Sequence, residues 1–310
     1  MRFAVQLPTE NVHEPEEFLT AAALAEMARE AEGAGFQACW VTDHPIPDDR
    51  WLALGGHHTL DPFVALAFAA AATRRLLLLT NVLVLPYRNP FLVAKAAATL
   101  DVASGGRLVL GVAAGYLEGE FAALGVDFAE RNELADEALA VLKTVWAETG
   151  VAFTGRHFRA SGNTALPRPL QKPQPPIWVG GNSRRAIRRA VAHGHGWLPF
   201  PAPPRLAGAI RTAAIPDAEA LAARIAYARA HAAEVGRSEP LEIAFVPFGF
   251  ELGARGGPQE GARLAEQAER LAPLGVTWLV LNIACRSRVE WRERVARLGE
   301  AVRRAGLHQT

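Results

Sequence analysis

Eight short apolar runs, each followed by a stretch long enough for a helix, most narrow what this chain can fold into. The runs are "FAVQL" (Phe3 to Leu7), "ACWVT" (Ala38 to Thr42), "LLLLTNVLVL", "RLVLGVA", "PIWVG", "GWLPF", "EIAFVPFGF" and "TWLVLNI". They are apolar almost end to end, as expected for strands buried on both faces of a parallel sheet. Between them lie helical patterns. "FLTAAALAEMAREAEGAG" reads as one amphipathic helix closed by Gly33 and Gly35. Others run from about Pro62 to Thr73, over "PFLVAKAAATLDVAS", Glu118 to Glu148, the run after Ser183, Asp217 to Val235, Glu260 to Leu271 and Val289 to Ala305. Eight strand–helix units predict an α/β fold, a (β/α)8 TIM barrel forming a single domain over residues 1–310. A doubly wound sheet would carry glycines after its first strand, and "QLPTENVHEP" has none. The segment "GVAFTGRHFRASGNTALPRPLQKPQP" has no helical period. It reads as an excursion with a short extended pair between strands four and five.

Half of the residues are hydrophobic and 21% are charged, which supports a sizeable core and argues against wholesale disorder. A net charge of +1 argues against nucleic acid as a partner. Cys39 and Cys285 are too few for a disulfide framework and fit a reducing compartment. The longest apolar stretch, "LLLLTNVLVLP", is too short for a membrane span, and the opening "MRFAVQLPTE" has no signal-peptide pattern. The expectation is a soluble cytoplasmic protein.

In a barrel of this kind the chemistry belongs at the carboxyl ends of the strands. Asp43 and His44 follow the second strand and are the best proton-handling pair, because His titrates near neutrality and a carboxylate can orient it. Adjacent residues on extended backbone point oppositely, so the two need not touch. The structural alternative is a capping Asp and a loop His. His57 with His58, and His193 with His195, raise a metal question, but none of the four lies where barrel metal sites take such pairs, so no metal is expected. Cys39, inside an apolar strand, reads as inert core. No Gly-x-Ser-x-Gly elbow is present. "PPIWVGGNSRRAIRRA" ends a strand in paired glycines and opens a helix. Gly180, Gly181, Asn182 and Ser183 then predict a phosphate site, with backbone amides and the helix dipole facing an anion, and Asn182 or Ser183 as N-cap. Arg184 and Arg185 in the first turn fit a nearby anion. Arg188 and Arg189 read as a solvated basic face.

These motifs together resemble the luciferase-like monooxygenase superfamily, the bacterial luciferase type of flavin and deazaflavin barrel. The resemblance rests on "WVTDH" (Trp40 to His44), "TNVLVLPYRNPFLVAKAAATLD", "SGGRLVLGVAAGY", "EFAALGVDFAER", the Gly180 stretch and "GHGWLPF", in family order across most of Phe3 to Phe200. It is closest to the branch that uses coenzyme F-420. The resemblance implies that His44 faces the reactive ring and that Asn81-Val82 forms a non-proline cis peptide behind it. It places Gly115, with Tyr116 beside it, near the ribityl-phosphate chain, and makes Gly180 and Gly181 the phosphate cradle. In the sugar-phosphate dehydrogenases of that branch a glutamate stands where this chain has Tyr116, which speaks against sugar-phosphate oxidation.

The implied activity is hydride transfer between coenzyme F-420 and a small-molecule organic substrate. The alternative is an FMN-dependent monooxygenase that incorporates molecular oxygen and is fed by a separate flavin or deazaflavin reductase. An alternative of another class is a barrel that binds cofactor without turnover. The family habit implies a homodimer. Loops around Trp51, His57 and His58 are expected to line the substrate pocket.

Overall fold

The computed structural model describes residues 1–251 and 256–306. Its strands are β1 (Arg2–Gln6), β2 (Ala38–Val41), β3 (Leu77–Thr80), β4 (Leu83–Val84), β5 (Leu108–Ala113), β6 (Val151–Thr154), β7 (Arg159–Asn163), β8 (Ile177–Gly180), β9 (Gly196–Leu198), β10 (Glu242–Phe245) and β11 (Trp278–Leu281). β1 pairs in parallel with β2 and β11, and the chain of parallel partners runs on until β5 meets β3. That last pairing closes the barrel. β4 continues β3 after a break at Asn81-Val82, so the third apolar run supplies one staggered barrel position. Each of the eight runs forms its strand. The excursion is an antiparallel pair, β6 with β7.

Two predicted helices divide. Thr20 caps a new helix, Ala21–Ala34, by accepting from the Ala23 amide, so the first segment splits from a short Pro15–Phe18 turn. Gly33 lies inside that helix, and only Gly35, at φ +96°, ends it. The Glu118 to Glu148 region breaks into helix Glu118–Ala123, a 3-10 turn Phe128–Glu130 and helix Arg131–Ala147. Gly125 at φ +70° and the Asp127 cap on the Ala129 amide enforce that break.

Strand alternation sorts side chains into two layers. Ala4, Ala38, Trp40, Leu79, Val109, Trp178, Leu198, Ala244, Trp278 and Val280 form one buried cluster, which fills the barrel. Their sequence neighbours Cys39, Val41, Leu78, Leu108 and Val179 belong to the larger core beneath the helices. Trp178 and Trp278 meet edge to face at 5.3 Å. Gly196 makes room for them, since a Cβ there would come within 2.5 Å of the Trp178 ring. Truncating one of these rings to Ala costs about 3–5 kcal/mol. Among the described residues no helix is long and apolar enough to cross a membrane.

Candidate active site at the barrel mouth

Past the end of β2 the alternation continues. Trp40 is inside the barrel, Asp43 turns outward and His44 turns to the mouth. Asp43 is buried and accepts from the Val84 amide at 2.9 Å and from both terminal nitrogens of Arg88, at 2.6 and 2.8 Å. Burial raises its pKa against the pull of Arg88. The structure therefore corrects the expected proton-handling pair: the Asp43 carboxylate is spent on tying β4 and Arg88 in place, and its hydrogen bonds go to neither ring nitrogen of His44.

The partner of His44 is Glu120. His44 Nδ1 lies 3.0 Å from Glu120 Oε2, and Glu120 is fully buried. The same oxygen accepts from the Tyr87 hydroxyl at 2.8 Å, and Oε1 accepts from the Ile46 amide at 3.1 Å. Burial and Glu120 push the Tyr87 phenol far up, so it stays a donor. A carboxylate that accepts from every neighbour leaves Nδ1 of His44 as the donor and Nε2 as the nitrogen free for chemistry. Sequence reading missed Glu120, although it begins the quoted "EFAALGVDFAER". Its nearest signal is the small residue before it: a Cβ on Gly119 would fall 2.4 Å from Asp48 Oδ2, so glycine lets helix Glu118–Ala123 settle against the loop after β2.

Around His44 stand Trp51 at 4.5 Å, His57 at 5.0 Å and Tyr116 at 6.3 Å, measured between ring centres. Burial and Glu120 push the Tyr116 phenol up to about 12. The Thr42 hydroxyl, both nitrogens of His57 and one oxygen of Glu10 are shut off from solvent with no hydrogen-bond partner among the described residues. Glu10, after β1, has its pKa raised by burial to about 7.

The third and fifth apolar runs supply the other wall. The Asn81-Val82 peptide is cis, as the resemblance implies. A Cβ on Gly180 would come 3.1 Å from Val82 Cγ1, so a side chain there would press on this bulge. Gly115, at φ +81°, is demanded by protein packing, because its Cβ would meet Val84 Cγ1 at 2.6 Å and Phe121 at 2.9 Å. Gly181 adopts φ +114°. Its amide donates to Leu198 O at 3.2 Å, and the Asn182 amide donates to Thr212 Oγ1 at 3.1 Å. Asn182 is fully buried and bonds to Phe200 and Ala213, so it closes the neighbouring loops. Ser183, not Asn182, is the N-cap, accepting from the Ala186 amide at 3.2 Å. The amides left without a partner among the described residues are those of Ser183, Arg184 and Arg185, at the start of helix Arg184–His193.

The arginines of that helix have protein partners. Arg185 pairs with Glu133 and Asp136, and Arg184 stacks over Tyr227 at 5.0 Å. Arg189 is buried against Asp136 and Asn132, which corrects its reading as a solvated residue, while Arg188 donates to the Tyr227 hydroxyl. His195 accepts from the Ile177 amide through Nδ1 at 3.1 Å. Among the described residues no group of three or more His, Cys, Asp or Glu is placed to hold a metal ion. Cys39 is buried, and its thiol is pushed up to about 12.

Residues 1–251 match the family model for luciferase-like monooxygenases. The chain is 34% identical over 164 residues to an FMNH2-dependent dimethylsulfone monooxygenase of Pseudomonas putida, over 52% of this chain and 43% of that protein. It is 34% identical over 179 residues to a coenzyme F-420-dependent glucose-6-phosphate dehydrogenase of Kineococcus radiotolerans, over 56% of this chain and 51% of that protein. The match thus spans about half the length of these curated relatives. The monooxygenase RslO1 from Streptomyces bottropensis shares the fold at a TM-score of 0.77, with 22% identity over 99% of this chain and 100% of that one. The chain belongs to the luciferase-like monooxygenase family, whose oxidoreductases include FMN-dependent and coenzyme F-420-dependent members.

Proposed function

We propose that this protein is an oxidoreductase that moves a hydride between coenzyme F-420 and a small organic substrate, with His44 as its acid–base group. The observation that carries this is the buried His44–Glu120 contact of 3.0 Å at the carboxyl end of the strands. Glu120 orients the imidazole through Nδ1, so that Nε2 is turned to take the proton that accompanies hydride loss and to return it in the reverse direction. Tyr87 and the Ile46 amide fix Glu120 in turn.

Three features fit a phosphate-bearing tricyclic cofactor. Gly180 leaves space against the Val82 bulge, Gly181 turns the chain at φ +114°, and the first-turn amides of Arg184 and Arg185 are free to meet an anion. When bound, the deazaflavin supplies the hydride-transfer chemistry. Asn182 and Ser183 shape this end of the strand, while Val82 and Tyr116 border the mouth.

The FMN reading is supported to the same degree by identity, 34% to the dimethylsulfone monooxygenase and 34% to the coenzyme F-420-dependent relative. In it, a separate reductase supplies reduced flavin. Parallel titrations with coenzyme F-420, FMN and riboflavin decide. Tighter binding of coenzyme F-420 with a substrate-dependent change in its spectrum supports the proposal. Tighter FMN binding with oxygen incorporation overturns it, and binding without any redox change leaves a non-catalytic barrel. A homodimer is the assembly we propose, checked by sedimentation.

A further inference from the structure

His57 lies on the segment between the short helix Asp49–Ala53 and the helix Pro62–Ala72. Its ring stands edge-on to His44 at 5.0 Å and tilted against Trp51 at 5.3 Å. Its place is built by several contacts. Asp48 caps the short helix on the Trp51 amide at 2.8 Å. The Trp51 ring packs where a Cβ on Gly56 would lie, 2.2 Å from Cε3, so glycine is needed beneath it. Thr59 Oγ1 bonds Thr9 Oγ1 at 2.9 Å and ties the segment to the loop after β1.

An imidazole so placed, with both nitrogens buried and unpartnered, is an unusual use of a polar side chain. Folded proteins pair nearly all such atoms, and each one left open calls for a physical account. Burial holds its pKa down at about 4; His44 and His58 add to that, and Glu120 opposes it. At neutral pH the ring therefore presents one N–H and one lone pair, and no charge. The neighbouring Trp51 and the neutral Tyr116 phenol add none. An anion brought here would lose its hydration without gaining a cation, whereas a hydroxyl or carbonyl needs only a hydrogen bond.

We propose that His57 is a substrate-binding residue that holds an uncharged oxygen, a hydroxyl or a carbonyl, beside His44, and that this pocket rejects phosphorylated and carboxylated substrates. The inference rests on the reading above only in taking the barrel mouth as the substrate pocket. It makes the substrate an alcohol or its carbonyl counterpart. With the first, Nε2 of His44 would stand ready to take the hydroxyl proton, and a bound deazaflavin would supply the hydride acceptor.

The test titrates the protein, with and without coenzyme F-420 or FMN, with cyclohexanol, cyclohexanone, cyclohexyl phosphate and cyclohexanecarboxylate. Imidazole 15N shifts of His57 and calorimetry are read together. His57→Phe keeps a ring beside Trp51 and His44 and removes both nitrogens. Cyclohexanol and cyclohexanone are expected to shift the His57 signals and to bind about five- to tenfold more weakly to His57→Phe. The two anions are expected to bind neither protein. His57→Gln, which keeps a donor and an acceptor, should retain the preference and serves if His57→Phe fails to fold. Unshifted His57 signals, equal affinities in parent and variant, or tighter binding of either anion overturns the proposal. Failure of both cofactors to bind, with His57 still answering to cyclohexanol, overturns the redox reading and leaves this one standing.

Discussion

At the amino-terminal end of the strands, Arg107 is buried and its guanidinium makes five hydrogen bonds: to Ser104 O, Ala70 O, Thr73 O, Thr73 Oγ1 and Leu76 O. Beside it Glu32 accepts from the amides of Arg74, Arg75 and Leu76. At the carboxyl end, Thr42, His57 and Glu10 each hold a buried polar atom with no partner among the described residues. The contrast is between these two clusters and not between the whole ends, since Glu242 Oε2 and Trp278 Nε1, at strand starts, also lack a partner among the described residues. What differs is the task. The Arg107 cluster joins helix ends to strand starts and gains stability from each completed bond, whereas under the function proposed above the mouth keeps positions open for substrate and cofactor. His44 stands between these extremes, one nitrogen committed to Glu120 and one free.

The largest effect should fall on that free nitrogen. His44→Ala is expected to lower turnover about 10²- to 10⁴-fold with an unchanged circular-dichroism spectrum. Normal turnover would return His44 to the role of a loop residue and erase the mouth's distinction. At the floor, Arg107→Met strands several buried carbonyls and should cost about 3 kcal/mol in denaturant unfolding. Cofactor affinity per folded molecule should not move. If stability holds instead, the floor is not the stabilising end.

Glu10 tests whether the mouth lowers stability. Its native pKa of about 7 lies above the ordinary 4.5, so between those values the native state binds more protons than the unfolded one. Stability from this group is therefore full below about pH 4.5, falls as pH rises, and is lost above pH 7. Glu10→Gln should flatten that slope and leave the variant more stable than the parent at pH 8, by about 1–3 kcal/mol. A parallel pair of pH–stability curves would remove Glu10 from the argument.

The smallest effects compare two glycines. Gly181→Ala, at φ +114° and 3.1 Å from Ala186 Cβ, should lose about 1–2 kcal/mol of stability. Gly33→Ala, inside a helix with no neighbour near its Cβ, should gain about 0.5–1 kcal/mol. Opposite signs in thermal unfolding would support the division; a neutral Gly181→Ala would show that the turn after β8 tolerates a side chain.

Much of this was readable along the chain. The continuous apolar runs specified eight strands because burial on both faces leaves no polar alternation. The sequence placed helix starts at Pro62 and Pro90, and the structure adds Asp61 and Asn89 as their caps. Period two alone separated Asp43 from His44. These signals are local: each depends on residues within a turn or a strand of one another. The partners were not local. Glu120 lies 76 positions from His44, and Arg88 lies 45 from Asp43. The amides of Gly181 and Asn182 face Leu198 and Thr212, and Arg189 is buried by Asp136. Which acid meets which base is fixed only when closure of β3 on β5 brings separate loops to one rim. The strands' own pattern could therefore determine the barrel, and only its closure could decide the constellation at its mouth.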